Sequence, residues 1–125
     1  MARILIMDDD NQFREMLKIM LENEGYNDIS DAESGYIGMK LIRKSHFDLV
    51  ITDIIMPDKE GIETIMELKK DFPAIKIIAM SGGGKIGADS YLVMAGHLGA
   101  DKTLAKPFLQ SEIINAVREL LGEKV

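Results

Sequence analysis

The chain has 125 residues, with 15 Lys+Arg against 21 Asp+Glu for a formal net charge of −6, and that length suits a single domain over residues 1–125. Its 46% hydrophobic and 29% charged residues can bury a sizeable core, which argues against intrinsic disorder. The absence of cysteine excludes disulfides, thiolate zinc sites and cysteine nucleophiles, and the acidic balance disfavours nucleic-acid binding, which depends on neutralising phosphates with Lys and Arg.

Along the chain, strand-like and helix-like patterns alternate. Ile4-Leu5-Ile6-Met7 is a continuous apolar run, as expected of a strand buried on both faces. Phe13, Met16, Leu17, Met20 and Leu21 follow at helical spacing, and Gly25 is a plausible stop. Tyr26 to Asp31 is more polar and suits a strand at a sheet edge. Ser34 can cap a helix carrying Ile37, Leu41 and Ile42. Leu49-Val50-Ile51-Thr52 is a second buried strand, followed by a Pro57/Asp58 turn and a helical stripe of Ile62, Ile65 and Met66 that ends near Phe72-Pro73.

The second half repeats this alternation. Ile75 to Met80 is a strand, Ser81-Gly82-Gly83-Gly84 a loop, and Ala88, Tyr91, Leu92 and Ala95 lie on one helical face. Lys102 to Ala105 is a short strand before Pro107, and Ser111 can cap a last helix carrying Ile113, Ile114, Val117, Leu120 and Leu121. Five βα units with short connections predict an α/β fold, a parallel sheet with helices on both faces. The longest apolar runs are of strand length, short of the ~20 residues needed to cross a bilayer. Met1-Ala2-Arg3 leads straight into the first strand instead of a signal peptide. A cytoplasmic location without membrane association is therefore expected.

The unusual residues fall at the C-terminal ends of these strands: Asp8, Asp9 and Asp10 after the first, Asp53 after the third, Ser81 after the fourth and Lys106 after the fifth. In open α/β sheets, ligands sit outside those ends where the strand order reverses. An order of 2-1-3-4-5 would bring Asp8 and Asp9 beside Asp53. Clustered carboxylates repel unless something positive intervenes, and magnesium, which takes one or two carboxylates and keeps positions open for phosphate oxygens, relieves that repulsion. Lys106 adds a second positive charge and Ser81 a hydroxyl. Together with a carboxylate nucleophile they suit phosphoryl transfer to Asp53. The bland reading of Asp8-Asp9-Asp10 is a solvated acidic turn capping the first helix, and for Asp10 it is the preferred one.

The runs Ile4-Leu5-Ile6-Met7-Asp8-Asp9-Asp10 and Asp53-Ile54-Ile55-Met56-Pro57-Asp58 with Gly61, followed by Ser81 and Lys106-Pro107-Phe108, resemble the receiver domain of two-component response regulators over essentially the whole chain. The resemblance implies a flavodoxin-like doubly wound (βα)5 three-layer sandwich with strand order 2-1-3-4-5. It implies Asp53 as phosphoacceptor, and Mg2+ held by Asp9 and Asp53, by the Ile55 backbone carbonyl, and by Asp8 through water. Ser81 would hydrogen-bond the phosphoryl group and Lys106 would neutralise it, with a Lys106-Pro107 bond that is often cis in the family. The implied partners are a histidine kinase or histidine phosphotransfer protein and an output protein, with a phosphorylation-dependent homodimer as a further expectation. The implied role is a phosphoacceptor signalling domain that catalyses only its own phosphorylation and dephosphorylation. Thr103 stands where many receivers carry Tyr or Phe, and the apolar Ile55 is expected to slow spontaneous loss of phosphate.

Other readings fit less well. Gly84-Lys85 resembles part of a Walker A motif, but Ala79 and Ile86 stand where that motif needs Gly and Ser or Thr. His46 and His97 are far apart and read as surface or structural residues, and the nine methionines as core filler. A haloacid-dehalogenase-like phosphatase would use Asp8-x-Asp10 but has Gln12 where Thr or Val is usual, and an FMN-binding protein would not line its phosphate loop with aspartates. A receiver that signals without phosphate is the remaining alternative.

Overall fold

A computed structural model of the chain describes residues 2–54, 61–82 and 88–122, the side chains of 88–92 apart. Its elements are β1 Arg3–Met7, α1 Asn11–Asn23, β2 Asp28–Ala32, α2 Gly35–Lys44, β3 Leu49–Asp53, α3 Gly61–Asp71, β4 Lys76–Gly82, α4 Ala88–Leu98, β5 Lys102–Lys106 and α5 Gln110–Leu120. The five strands form one parallel sheet in the order β2-β1-β3-β4-β5, as predicted from the sequence. The order reverses between β1 and β3, so the crevice outside the ends of those two strands is open to a ligand. Among the described residues, no helix is long and apolar enough to cross a membrane.

Strand pleating divides the core in two. Leu5, Met7, Val50, Ile77 and Ala79 pack with α2, α3 and α4, through Met39, Ile42, Ile65, Leu68 and Ala95. Ile4, Ile6, Leu49, Ile51, Ile78 and Met80 pack with α1 and α5, through Leu17, Leu21, Ile113 and Val117. Each fully buried Leu or Ile contributes about 1.5–3 kcal/mol. The continuous apolar runs of β1 and β3 are the sequence trace of this double coverage. The edge strands differ: β2 is mostly half-buried and β5 alternates between half-buried and exposed.

Local chemistry sets the helix ends. Asp10 caps α1, its Oδ1 accepting from the N–H groups of Gln12 and Phe13 at 3.0 and 3.1 Å. Ser34 caps α2 through Ile37 N–H. Gly25 closes α1 with φ of +95°, a conformation that favours glycine, and Tyr26 N–H returns to the Leu21 carbonyl.

Several boundaries depart from the sequence reading. Tyr26 is buried but precedes β2. β4 continues through Ser81 and Gly82, because these pair with Ala105 and Lys106 of β5. In α3 the inward residues are Gly61, Thr64, Ile65 and Leu68, and Met66 faces solvent, since a close-packed glycine and a buried threonine turn the stripe by one position. Ile37 of α2 also faces outward. α5 begins one residue before Ser111, with the Glu112 carboxylate accepting the Leu109 N–H at 2.9 Å. The Pro57/Asp58 turn and the stretch Gly83 to Ile86 lie outside the described residues.

Candidate functional site

Asp8, Asp53 and Lys106 come to one pocket because their strands end at the same level. Asp8 continues the Ile4-Ile6 side of β1, Asp53 the Leu49-Ile51 side of β3, and Lys106 the side of β5 on which Leu104 packs into the same core. All three therefore lie on the α1/α5 side of the sheet. The Asp8 side chain is fully buried and doubly held: Oδ2 accepts from Lys106 Nζ at 2.6 Å and Oδ1 from Asp10 N–H at 2.9 Å. Arg14 donates to the Asp8 carbonyl at 2.7 Å and pairs with Asp31 of β2 at 2.9 Å. Asp53 Oδ1 accepts the Ile54 N–H at 2.9 Å, and its Oδ2 lies 3.6 Å from Lys106 Nζ. Asp9 is exposed.

Burial pushes the Asp53 carboxyl up to about 6 from its ordinary 3.8. Lys106 opposes the rise, the Asp8 charge adds to it, the Ile54 N–H opposes it, and Asp9 adds a little more. One carboxylate oxygen each from Asp8, Asp9 and Asp53 fall within 4.8 Å of one another. An octahedral cation with oxygens at ~2.1 Å needs its ligands roughly 3–4 Å apart, a spacing that small side-chain rotations reach. The donor set is all hard oxygen, which suits magnesium and not a softer metal.

Ser81 is 2% exposed. It stands one residue beyond Met80, the partner of Asp53 in the β3–β4 ladder, and its pleat parity is that of Ile77 and Ala79, towards α3 and α4. The Lys106-Pro107 peptide is cis. Ile55, expected to offer its carbonyl, lies outside the described residues. Thr103 is exposed on β5. His46 is exposed and bonds Asp48 at 2.9 Å, and His97 is exposed in the last turn of α4, so neither joins the pocket.

The sequence reading assigned no role at the site to three residues: it placed Phe13 in a helical stripe, named Gly61 only within the receiver-like motif and did not single out Arg14. Phe13 places its ring centroid 4.0 Å from Lys106 Nζ. Gly61 lies against the Asp53 backbone, where a Cβ would come within 2.0 Å of the carbonyl oxygen. Arg14 holds the β1–α1 turn. Its signal was present, since a cation in the first turn of a helix opposes the macrodipole and implies a specific partner.

Residues 4–118 match the response regulator receiver domain model. This chain belongs to the response-regulator receiver family. The receiver is 32% identical to chemotaxis protein CheY of Bacillus subtilis (strain 168) over 120 residues, covering 96% of this chain and 98% of that protein. It is 35% identical to transcriptional regulatory protein CpxR of Escherichia coli (strain K12) over 121 residues, covering 97% of this chain and 50% of that protein. It thus spans about half the length of the transcriptional regulators that it matches. Among solved structures, the CheY-like receiver domain protein of Methanospirillum hungatei JF-1 superposes with a TM-score of 0.88 at 31% identity, covering 98% of this chain and 94% of that one. The receiver is a signalling module of a two-component phosphorelay.

Proposed function

We propose that Asp53 accepts a phosphoryl group from a phosphohistidine, in a reaction that requires Mg2+, and that the phosphorylated domain then changes its contacts with an output protein. The observation that carries this reading is the meeting of three carboxylates within 4.8 Å with a lysine ammonium set against two of them. Asp53 Oδ1 shares the Ile54 N–H with the Met80 carbonyl and keeps a lone pair for a cation, and Oδ2, 3.6 Å from Lys106 Nζ, is the nucleophile. In-line attack forms the P–O bond as the P–N bond breaks. The leaving imidazole nitrogen keeps the electron pair and takes a proton from solvent.

Asp9 and Asp53 would hold the cation directly. Both Asp8 oxygens already receive a donor, so Asp8 suits an outer position through water. Bound there, magnesium supplies fixed positive charge facing the transferred oxygens. Lys106 balances charge from the opposite side, and the Ser81 hydroxyl would donate to a phosphoryl oxygen. The domain in this reading catalyses only its own phosphorylation and dephosphorylation. Beside Lys106 runs an apolar groove of about 440 Å3, lined by Phe13, Met16, Met20, Lys106, Pro107 and Phe108, which suits the approach of the phosphodonor protein.

A phosphatase acting through Asp8 has less support, because that side chain is fully buried and both its oxygens are engaged. Incubation with a small-molecule phosphodonor and MgCl2, followed by intact mass, tests the reading. Wild type is expected to gain one PO3 unit and Asp53→Asn none. A gain that persists in Asp53→Asn would overturn it.

A further inference from the structure

Resting on the reading of Asp53 as phosphoacceptor, we infer that Phe13 is a positioning residue for the reaction, its ring face holding the Lys106 ammonium in the pocket. Among the described residues, Lys106 Nζ lies near Asp8 Oδ2 at 2.6 Å, Asp53 Oδ2 at 3.6 Å and the Phe13 ring centroid at 4.0 Å. The carboxylates and the negative face of the ring both attract the ammonium. A lysine stem has four rotatable bonds, and immobilising it costs considerable side-chain entropy. A cation that is already confined loses less of that freedom when charge builds on the transferred phosphoryl group.

The ring is itself fixed. Phe13 N–H donates to the capping Asp10 carboxylate at 3.1 Å, which anchors the first turn of α1. Phe108, two residues beyond Lys106, packs against Phe13 with centroids 5.9 Å apart and planes at 83°. This T-shaped pair is a favoured aromatic geometry. It leaves a ring face, with its negative potential, for the ammonium. An aliphatic residue at position 13 would exclude water equally well but would offer the ammonium no electrostatic attraction. That difference separates a positioning role from a packing role.

Fluorination tests the inference, because it drains charge from the ring face while nearly preserving its shape and apolar character. The full chain carrying 4-fluoro-, 3,5-difluoro- or 3,4,5-trifluorophenylalanine at position 13 is phosphorylated with phosphoramidate and MgCl2. The rate is followed by intact mass, beside Phe13→Leu. A stepwise fall with each added fluorine is expected, with Phe13→Leu slower than wild type by between about 3-fold and 30-fold. Lys106 Hε resonances are expected upfield of those of the other lysines, returning to them in Phe13→Leu. Equal rates across the fluorinated series, with wild type phosphorylated normally, would overturn the inference and leave the proposed function standing. Failure of wild type to be phosphorylated at Asp53 would overturn both.

Discussion

Gly61 and Asp53 touch backbone to backbone: a Cβ on Gly61 would come within 2.0 Å of the Asp53 carbonyl oxygen, and the next nearest atoms are also main chain. The neighbouring Gly61 N–H bonds the Ile54 carbonyl at 2.6 Å. Nothing flexible is available to yield, so Gly61→Ala must displace the end of β3. A loss of about 1–3 kcal/mol is expected in urea unfolding, with slower phosphorylation of Asp53. A variant as stable and as reactive as wild type would show that α3 starts elsewhere.

Asp53 makes stability depend on pH. Its pKa of about 6 in the folded protein exceeds the ordinary 3.8, so between these values the folded chain binds more protons than the unfolded one. Stability from this group is fully present below the lower value and is lost as pH rises through the higher. Asparagine escapes that loss. In chelator-containing buffer near neutral pH, Asp53→Asn is expected to melt roughly 5 °C above wild type. The gap should close as pH falls towards about 4. A constant gap across this range would mean that burial does not raise the Asp53 pKa.

Arg14 joins three elements at once, donating from α1 to the Asp8 carbonyl after β1 and to Asp31 of β2. Lysine keeps the charge but lacks the planar fork needed for both contacts. Arg14→Lys is expected to cost about 1–2 kcal/mol in chemical denaturation and to weaken magnesium binding through misplacement of Asp9. Unchanged stability and affinity would assign the turn to the Asp10 cap alone.

Magnesium should stabilise the fold by mass action. At a free concentration of 100 times Kd the gain is about 2.7 kcal/mol, visible as a rise in Tm. The rise is expected to disappear in Asp9→Asn, whose carboxylate is the exposed member of the cluster. A rise of equal size in that variant would remove Asp9 from the ligand set.

The sheet was legible in the sequence because both faces of its inner strands are covered: Ile4 to Met7 and Leu49 to Thr52 read as unbroken apolar runs. The charged pocket was legible because Asp8, Asp53 and Lys106 follow strands whose order the resemblance to receiver domains implied. Their positions need no knowledge of helix orientation. Phe13 was not, since its helical spacing is that of a core residue and only the distance to Lys106 distinguishes the two roles. The start of α5 was missed because the cap position falls on Leu109, whose apolar side chain carries no capping signal and whose N–H is instead accepted by Glu112. The inward stripe of α3 was misread because Gly61 and Thr64, neither strongly hydrophobic, occupy it.

One consequence concerns β1. Leu5 and Met7 enter one core while Ile4 and Ile6 enter the other, so sliding this strand by a single position would trade aliphatic residues for aliphatic residues. The hydrophobic effect alone would scarcely resist that slippage, yet it would carry Met7 into the place of Asp8. Resistance comes from polar pins at the two ends: Arg3 N–H on the Asp48 carboxylate at 2.8 Å, Asp8 N–H on the Ala32 carbonyl at 3.1 Å, and the Arg14 guanidinium on the Asp8 carbonyl. The alignment of the acidic residues therefore depends on a few hydrogen bonds at the rim of the sheet, not on the greasy interior beneath them.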